Sequence, residues 1–262
     1  MINGAVFFDM DGTLIDSRNG IRVPTEQTRE AVARLRERGV LTVLATGRSK
    51  CYIPGEFHLF DGYITSNGAY GELNGRTLFN ECIAPDVLRE VADYLDGIGI
   101  NYVVEGQERC TVRDIGEYYY KRMMSQFNFP DHSYYPLKEL NEFPVNKLMV
   151  SYDLPQKAEQ FKTDYKDRLV ITDHPVNSSC DVSRAGITKG YGVKMLMEKL
   201  AIPRERTWAF GDADNDLDML AEVGTGIAMG EHTPRLGAIA AYITGTVKCE
   251  GISAALRHFG LI

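Results

Sequence analysis

Asp9 and Asp11 stand one residue apart in FFDMDGTL, after the apolar run Ala5–Phe8 and before Gly12-Thr13. Two carboxylates that close repel unless positive charge or a shared proton sits with them. Three other stretches place polar groups at the ends of apolar runs or the starts of helical ones. They are Thr46 in ATGR, Lys189 in TKG, and Asp212 with Asp216 in GDADND. An Asp after a strand is often only a helix cap, and a helix-opening Lys is usually solvated. Together, however, these groups answer one chemical problem, the transfer of a phosphoryl group out of an ester.

Residues i and i+2 of an extended strand face one side, so Asp9 and Asp11 are expected to face one ligand. Attack of Asp9 on phosphorus would form an aspartyl-phosphate and divide hydrolysis into two easier steps. Asp11 is then the acid that gives a proton to the leaving alcohol and later takes one from water. Asp212 and Asp216 add further acid, and an oxygen-only cluster favours a hard divalent cation, Mg²⁺. Mg²⁺ and the Lys189 ammonium would neutralise the phosphoryl oxygens. The Thr46 hydroxyl and backbone N–H groups near Gly12 and Gly47 would hold the rest, with the positive end of the helix opening at Lys189.

Such residues need a scaffold that brings strand ends together. Ala5–Phe8 and Val40–Ala45 are apolar at nearly every position, as strands covered on both faces are. Between them Thr25 is a plausible N-cap for a helix striped by Val32 and Leu35 and stopped by Gly39. Asp61–Thr65, Thr207–Phe210, Gly226–Met229 and Ala240–Thr244 read as further strands, and a helix opens at Lys189 with Val193, Leu196, Met197 and Leu200 on one face. Strands and helices in alternation predict a doubly wound, Rossmann-like parallel sheet, with ligands at the strands' carboxyl ends. From about Glu81 to Ser183 the strands become more polar and tyrosine-rich. The economical reading is an α/β core of residues 1–81 and 184–262 interrupted by an inserted α/β domain of residues 82–183.

The order DMDGT at 9–13, Thr46 in ATGR, Lys189, and GDADND at 211–216 resembles the motif series of the haloacid dehalogenase superfamily. An insert between the second and third motifs resembles the Cof-type branch, which carries a large α/β cap. SNGAY at 66–70, Met219, AMG at 228–230 and the ending GISAALRHFGLI are similar to that branch too. The resemblance implies a Mg²⁺-dependent phosphatase with Asp9 as nucleophile and metal ligand. Asp11 would be the acid/base and bind metal through its backbone carbonyl. Thr46 and Lys189 would hold the phosphate, Asp212 would ligate the metal, Asp216 would support that shell and Asn215 would face the phosphate. Glu231 departs from the pattern, because that branch usually carries Asn after AMG.

Other residues carry less. Arg48 is either a substrate contact or a salt bridge between core and insert. Asn67-Gly68 is a binding element or a turn. Asp181 reaches the site or serves a hinge or strand edge. Tyr118-Tyr119-Tyr120-Lys121-Arg122 is a helix with one buried face sooner than a sugar-stacking platform. The five histidines show no metal-ligand spacing. The expected substrate is a small phosphate ester, sugar phosphates first, under a cap that closes and excludes water. A phosphotransferase or mutase on the same substrates, and a phospho-accepting signalling module, are the alternatives.

Composition narrows the field. The net charge of −7 without a long basic run argues against nucleic acid as a partner. The five cysteines form no CxxC pair and are expected as reduced thiols. The chain opens without a basic, apolar leader and holds no run long enough to span a bilayer, so a cytoplasmic protein is expected.

Overall fold

Apolar runs flanked by turn residues become the strands that position the polar clusters. The structure, a computed structural model, describes residues 2–112, 121, 134–152, 154–174 and 178–262. The chain divides into two compact units. One comprises residues 1–47, 55–79 and 188–262, the other residues 48–54 and 80–187.

The first unit is built on strands β1 (Gly4–Phe8), β2 (Val40–Ala45), β3 (Gly62–Thr65), β4 (Tyr70–Leu73) and β5 (Arg76–Asn80). The second contributes β6 (Asn101–Glu105), β7 (Cys110–Val112), β8 (Tyr134–Pro136), β9 (Lys147–Ser151), β10 (Leu169–His174) and β11 (Ser179–Arg184). The chain then returns to the first unit with β12 (Thr207–Gly211), β13 (Thr225–Ala228) and β14 (Tyr242–Ile243).

The first unit's sheet has the order β14-β13-β12-β1-β2-β3-β4-β5. From β14 to β3 all pairings are parallel. Every residue of β1 and β2 is buried, as the sequence reading required. Phe8 and Phe210 stack across the β1–β12 pair with centroids 5.3 Å apart. Thr25 caps the helix Glu26–Glu37 by accepting the Thr28 N–H. Thr188 caps Lys189–Leu200 by accepting the Tyr191 N–H, and Val193, Leu196 and Met197 join Phe7, Val43, Ile64 and Ala209 in one core.

The expected parallel core is present from β14 to β3, and β4 extends it antiparallel to β3, with β5 following. The signal is Asn74-Gly75, which holds φ of 48° and 76° between two short alternating runs; Asn-Gly is the favoured pair where both turn residues need positive φ. The strand expected at Ala240–Thr244 is confined to Tyr242–Ile243 at the sheet edge.

The second unit's sheet runs β10-β11-β9-β6-β7-β8 and is antiparallel except at β7–β8. Helices Pro85–Gly97 and Pro155–Tyr165 bury Leu88, Val91, Leu95 and Phe161 with Tyr102, Val104, Leu148 and Val150, residues that alternate along β6 and β9. The opposite positions, Val103 and Met149, pack with Cys110, Val112 and Tyr52. Tyr52 explains why residues 48–54 group with this unit although the sequence reading kept them in the core. That aromatic ring has its apolar partners there. The stretch at Tyr118–Arg122 lies outside the described residues except for Lys121, which is exposed.

Candidate active site

β1 ends at Phe8, and the Asp9 N–H donates to the Phe210 carbonyl at 3.0 Å. The strand therefore stops before both acids, and the pleat argument for placing them on one side does not apply. The chain instead turns. Leu14 and Ile15 N–H groups both donate to the Met10 carbonyl, at 2.9 and 3.0 Å, and the Gly12 N–H donates to Ile15 at 2.8 Å. Gly12 holds φ of +95°, and a Cβ there would run into the Asp212 carboxylate. Asp9 is buried and Asp11 is exposed. Thr13, fully buried, donates to Asp212 Oδ1 at 3.3 Å.

Asp212 and Asp216 come from the turn after β12, directly beside β1. Lys189, the first residue of its helix, reaches the same point with no exposed side-chain surface. Its Nζ donates to Asp9 Oδ1 at 2.5 Å and to Asp216 Oδ1 at 2.6 Å. The other Asp216 oxygen accepts the Asp212 and Ala213 N–H groups at 3.0 and 3.2 Å. Asp216 thus ties the lysine to the loop that carries Asp212. One carboxylate oxygen from each of Asp9, Asp212 and Asp216 lies within 4.8 Å of the others.

Electrostatics follow from this crowding. Burial, and then the Asp216 charge, push the Asp9 carboxyl up to about 7 despite Lys189. Burial, and then Asp9, push Asp212 up to about 9. Burial works to lower the Lys189 ammonium, but Asp216 and Asp9 outweigh it and hold it well above its ordinary value. One ammonium is too little positive charge for two buried carboxylates and a half-buried third. The donor set is oxygen only and short of one or two positive charges, which is what a hard divalent cation fits. Among the described residues, these three acids form the cluster that could hold a metal ion.

Thr46 is buried at the end of β2, and its N–H donates to the Ile64 carbonyl at 2.9 Å. The Asn67 N–H donates back to the Thr46 carbonyl at 3.2 Å, and a Cβ on Gly47 would meet Asn67 Oδ1 at 2.8 Å. Ser66 and Asn67 hold left-handed φ of 51° and 53°. Non-glycine residues keep such angles where their surroundings fix them. Gly68, at φ +94°, abuts the Thr188 carbonyl so closely that a Cβ would overlap it. The strand ends that carry Thr46 and Asn67 are thereby seated against the cap of the Lys189 helix.

The structure therefore brings Asp9, Gly12, Lys189, Asp212 and Asp216 together, and Thr46, Gly47 and Asn67 together. Asn215 is half-buried in the single turn Asp214–Asp216. Arg48 is buried within the second unit. Asp181 is committed there too, 2.8 Å from Lys147 Nζ, with His174 Nε2 3.4 Å away. Lys147 also meets Glu105 at 3.3 Å, whose other contact is the Ser49 hydroxyl at 2.6 Å. Thr13 is a residue beside Asp212 to which the sequence reading gave no role. DMDGT contains Thr13, but only the fold shows that its hydroxyl meets Asp212.

A parallel sheet with such a cluster at the carboxyl ends of β1 and β12 defines a doubly wound α/β enzyme. Residues 6–256 match the sequence profile of the haloacid dehalogenase-like hydrolases. The chain belongs to that family and is a hydrolase of its Cof-type phosphatase branch. It is 28% identical to the putative phosphatase YkrA of Bacillus subtilis over 98% of both chains. It is 30% identical to the HMP-PP phosphatase of Klebsiella pneumoniae, covering 96% of this chain and 94% of that one. The solved subclass IIB sugar phosphatase BT4131 superposes with a TM-score of 0.86 at 26% identity, covering 99% of this chain and 100% of that one. No described helix is long and apolar enough to cross a membrane.

Proposed function

We propose that this chain is a Mg²⁺-dependent phosphatase that hydrolyses small phosphorylated metabolites, sugar phosphates foremost, through an aspartyl-phosphate on Asp9. The observation that carries this reading is the buried Lys189 ammonium held between Asp9 and Asp216 at the end of β1.

Asp9 is the nucleophile, its carboxylate oriented by Lys189 so that one oxygen is fixed and the other is presented to phosphorus. Asp9, Asp212 and the Asp11 backbone carbonyl would hold Mg²⁺, with Asp216 supporting them from behind. When bound, Mg²⁺ supplies the charge that lets Asp9 and Asp212 ionise together and that offsets the phosphoryl oxygens. Asp11 is exposed, as a group serving a leaving alcohol needs to be. It protonates that alcohol in the first step and takes a proton from water in the second. Thr46 and Lys189 hold the phosphoryl oxygens, and backbone at Gly12 and Gly47 lines the same place. Asn67 and Asn215 add polar contacts.

The names of its relatives support small phosphorylated substrates, and that of BT4131 supports sugars. The test is phosphate release from a panel of sugar, nucleotide and cofactor phosphates, with Mg²⁺ and with EDTA. Release confined to Mg²⁺ and strongest on hexose or pentose phosphates is expected, and it disappears in Asp9→Asn. Full turnover by Asp9→Asn sinks the covalent scheme. Substrate loss without matching phosphate release would point to transfer.

A further inference from the structure

Two of the five cysteines meet. Cys51, in the segment 48–54, and Cys110, the first residue of β7, are 59 positions apart in sequence, yet their sulfurs lie 3.4 Å from each other. Both belong to the second unit. Cys110 is fully buried among Tyr52, Val103, Val112 and Met149, while Cys51 is half-buried beside the Gly106 carbonyl. Burial, and then the Cys51 contact, hold the Cys110 thiol well above its ordinary range. It is inert by itself, so the more accessible Cys51 meets solvent oxidants first. A disulfide needs sulfurs about 2.0 Å apart, so the two sulfurs, 3.4 Å apart, have a short distance to close. None of the chemistry assigned above uses either thiol.

We propose that Cys51 and Cys110 form a peroxide-driven, reversible disulfide that staples the segment following Thr46-Gly47 to β7. The Cys51 sulfur attacks a hydroperoxide, the O–O bond breaks, and Cys51 becomes a sulfenic acid as the peroxide is reduced to water or alcohol. The Cys110 sulfur then attacks the Cys51 sulfur, forming S–S and breaking S–O. The departing hydroxide leaves as water with the Cys110 thiol proton. Two thiols and one hydroperoxide thus give one disulfide, with both electrons delivered to oxygen. A dithiol reductant reverses the bond. Because residues 48–54 follow Thr46-Gly47 directly, the staple restrains the backbone that leaves the phosphate-holding threonine. That consequence for turnover rests on the proposed function, whereas the bond itself does not.

The experiment treats the full chain with hydrogen peroxide, blocks remaining thiols, digests without reductant and maps the peptides by mass. A linked pair joining Cys51 to Cys110, short of both thiol hydrogens and released by dithiothreitol, is expected. Exposed Cys249 shows that the oxidant was sufficient. Cys51→Ser leaves Cys110 as an alkylated thiol, and Cys110→Ser leaves Cys51 carrying added oxygen instead of a link. Cys51 and Cys110 both alkylated while Cys249 is oxidised overturns the proposal. Turnover read on the same samples is expected to fall on oxidation and return with dithiothreitol in wild type but not to fall in Cys51→Ser. Unchanged turnover with the bond formed overturns the restraint on Thr46. An inactive chain that still forms the bond would indict the phosphatase reading alone.

Discussion

Lys189→Met isolates the ammonium from the rest of the site. Methionine keeps most of the length and apolar bulk of lysine, so the change removes the charge and the two hydrogen bonds to Asp9 and Asp216 without opening a large cavity. Both partners are buried, and removing one member of a buried ion pair costs about 3–5 kcal/mol. In a chain of this size each kcal/mol lowers Tm by about 2–4 °C, so a fall of about 6–20 °C is expected. The size should depend on pH. Burial already raises the Asp9 and Asp212 carboxyls above their unfolded values, and removing the lysine, whose charge works to lower both, raises them further. Such groups give their stability below the unfolded pKa and lose it as pH rises through the folded one. The Asp9 carboxyl already stands near 7 with the lysine present. The deficit is therefore largest in mildly alkaline buffer and shrinks on acidification as the carboxyls take up protons. Thermal melts of both proteins in EDTA, followed by circular dichroism at alkaline and mildly acidic pH, read this directly. A variant that melts with wild type at both pH values would refute the idea that Lys189 compensates buried charge.

Other outcomes follow from the same geometry. Mg²⁺ titrated into the wild-type chain should raise Tm, and Asp212→Asn should abolish most of that rise while leaving the metal-free fold intact; calorimetric Mg²⁺ binding checks it. Gly12→Ala forces a side chain into the Asp212 carboxylate at a φ of +95°, which should cost about 1–3 kcal/mol and most of the turnover, measured by urea unfolding and phosphate release. Lys147→Met strands Glu105 and Asp181 in the second unit and should cost about 3–5 kcal/mol. The acid limb of stability should also flatten in that variant. Burial works to raise the Asp181 carboxyl, but Lys147 and then His174 hold it well below its usual range. Its contribution is present above the unfolded value of about 4 and is lost as pH falls toward the folded one. Urea midpoints against pH for the two proteins separate these cases.

Most of the core was legible because its signals are local. The largely apolar run Val40–Ala45 and the Thr188 cap each state their structure within a few residues. The acids and Lys189 were legible because turn residues and helix starts mark strand ends, where a doubly wound sheet binds ligands. What escaped depends on contacts distant in sequence. The hairpin at Asn74-Gly75 had a local signal that the parallel pattern overshadowed. The grouping of residues 48–54 with the second unit is set by where Tyr52 finds apolar neighbours. The Glu105–Lys147–Asp181 network joins three strands by register, which no single stretch displays. The turn after Phe8, and not a strand pleat, sets the places of Asp9 and Asp11, because the backbone hydrogen bonds to the Met10 carbonyl come from residues further along the chain.

The central claim is that Asp9 takes the phosphoryl group before water does. Two in-line displacements at phosphorus restore its configuration, whereas one inverts it. Hydrolysis of a thiophosphate ester carrying two oxygen isotopes, run in water of the third isotope, or transfer from an isotopically chiral phosphate ester to an added alcohol acceptor, reports which occurs. Retention of configuration is the result this account predicts. Inversion would mean that water or the acceptor attacks the ester directly and that Asp9 is not the nucleophile.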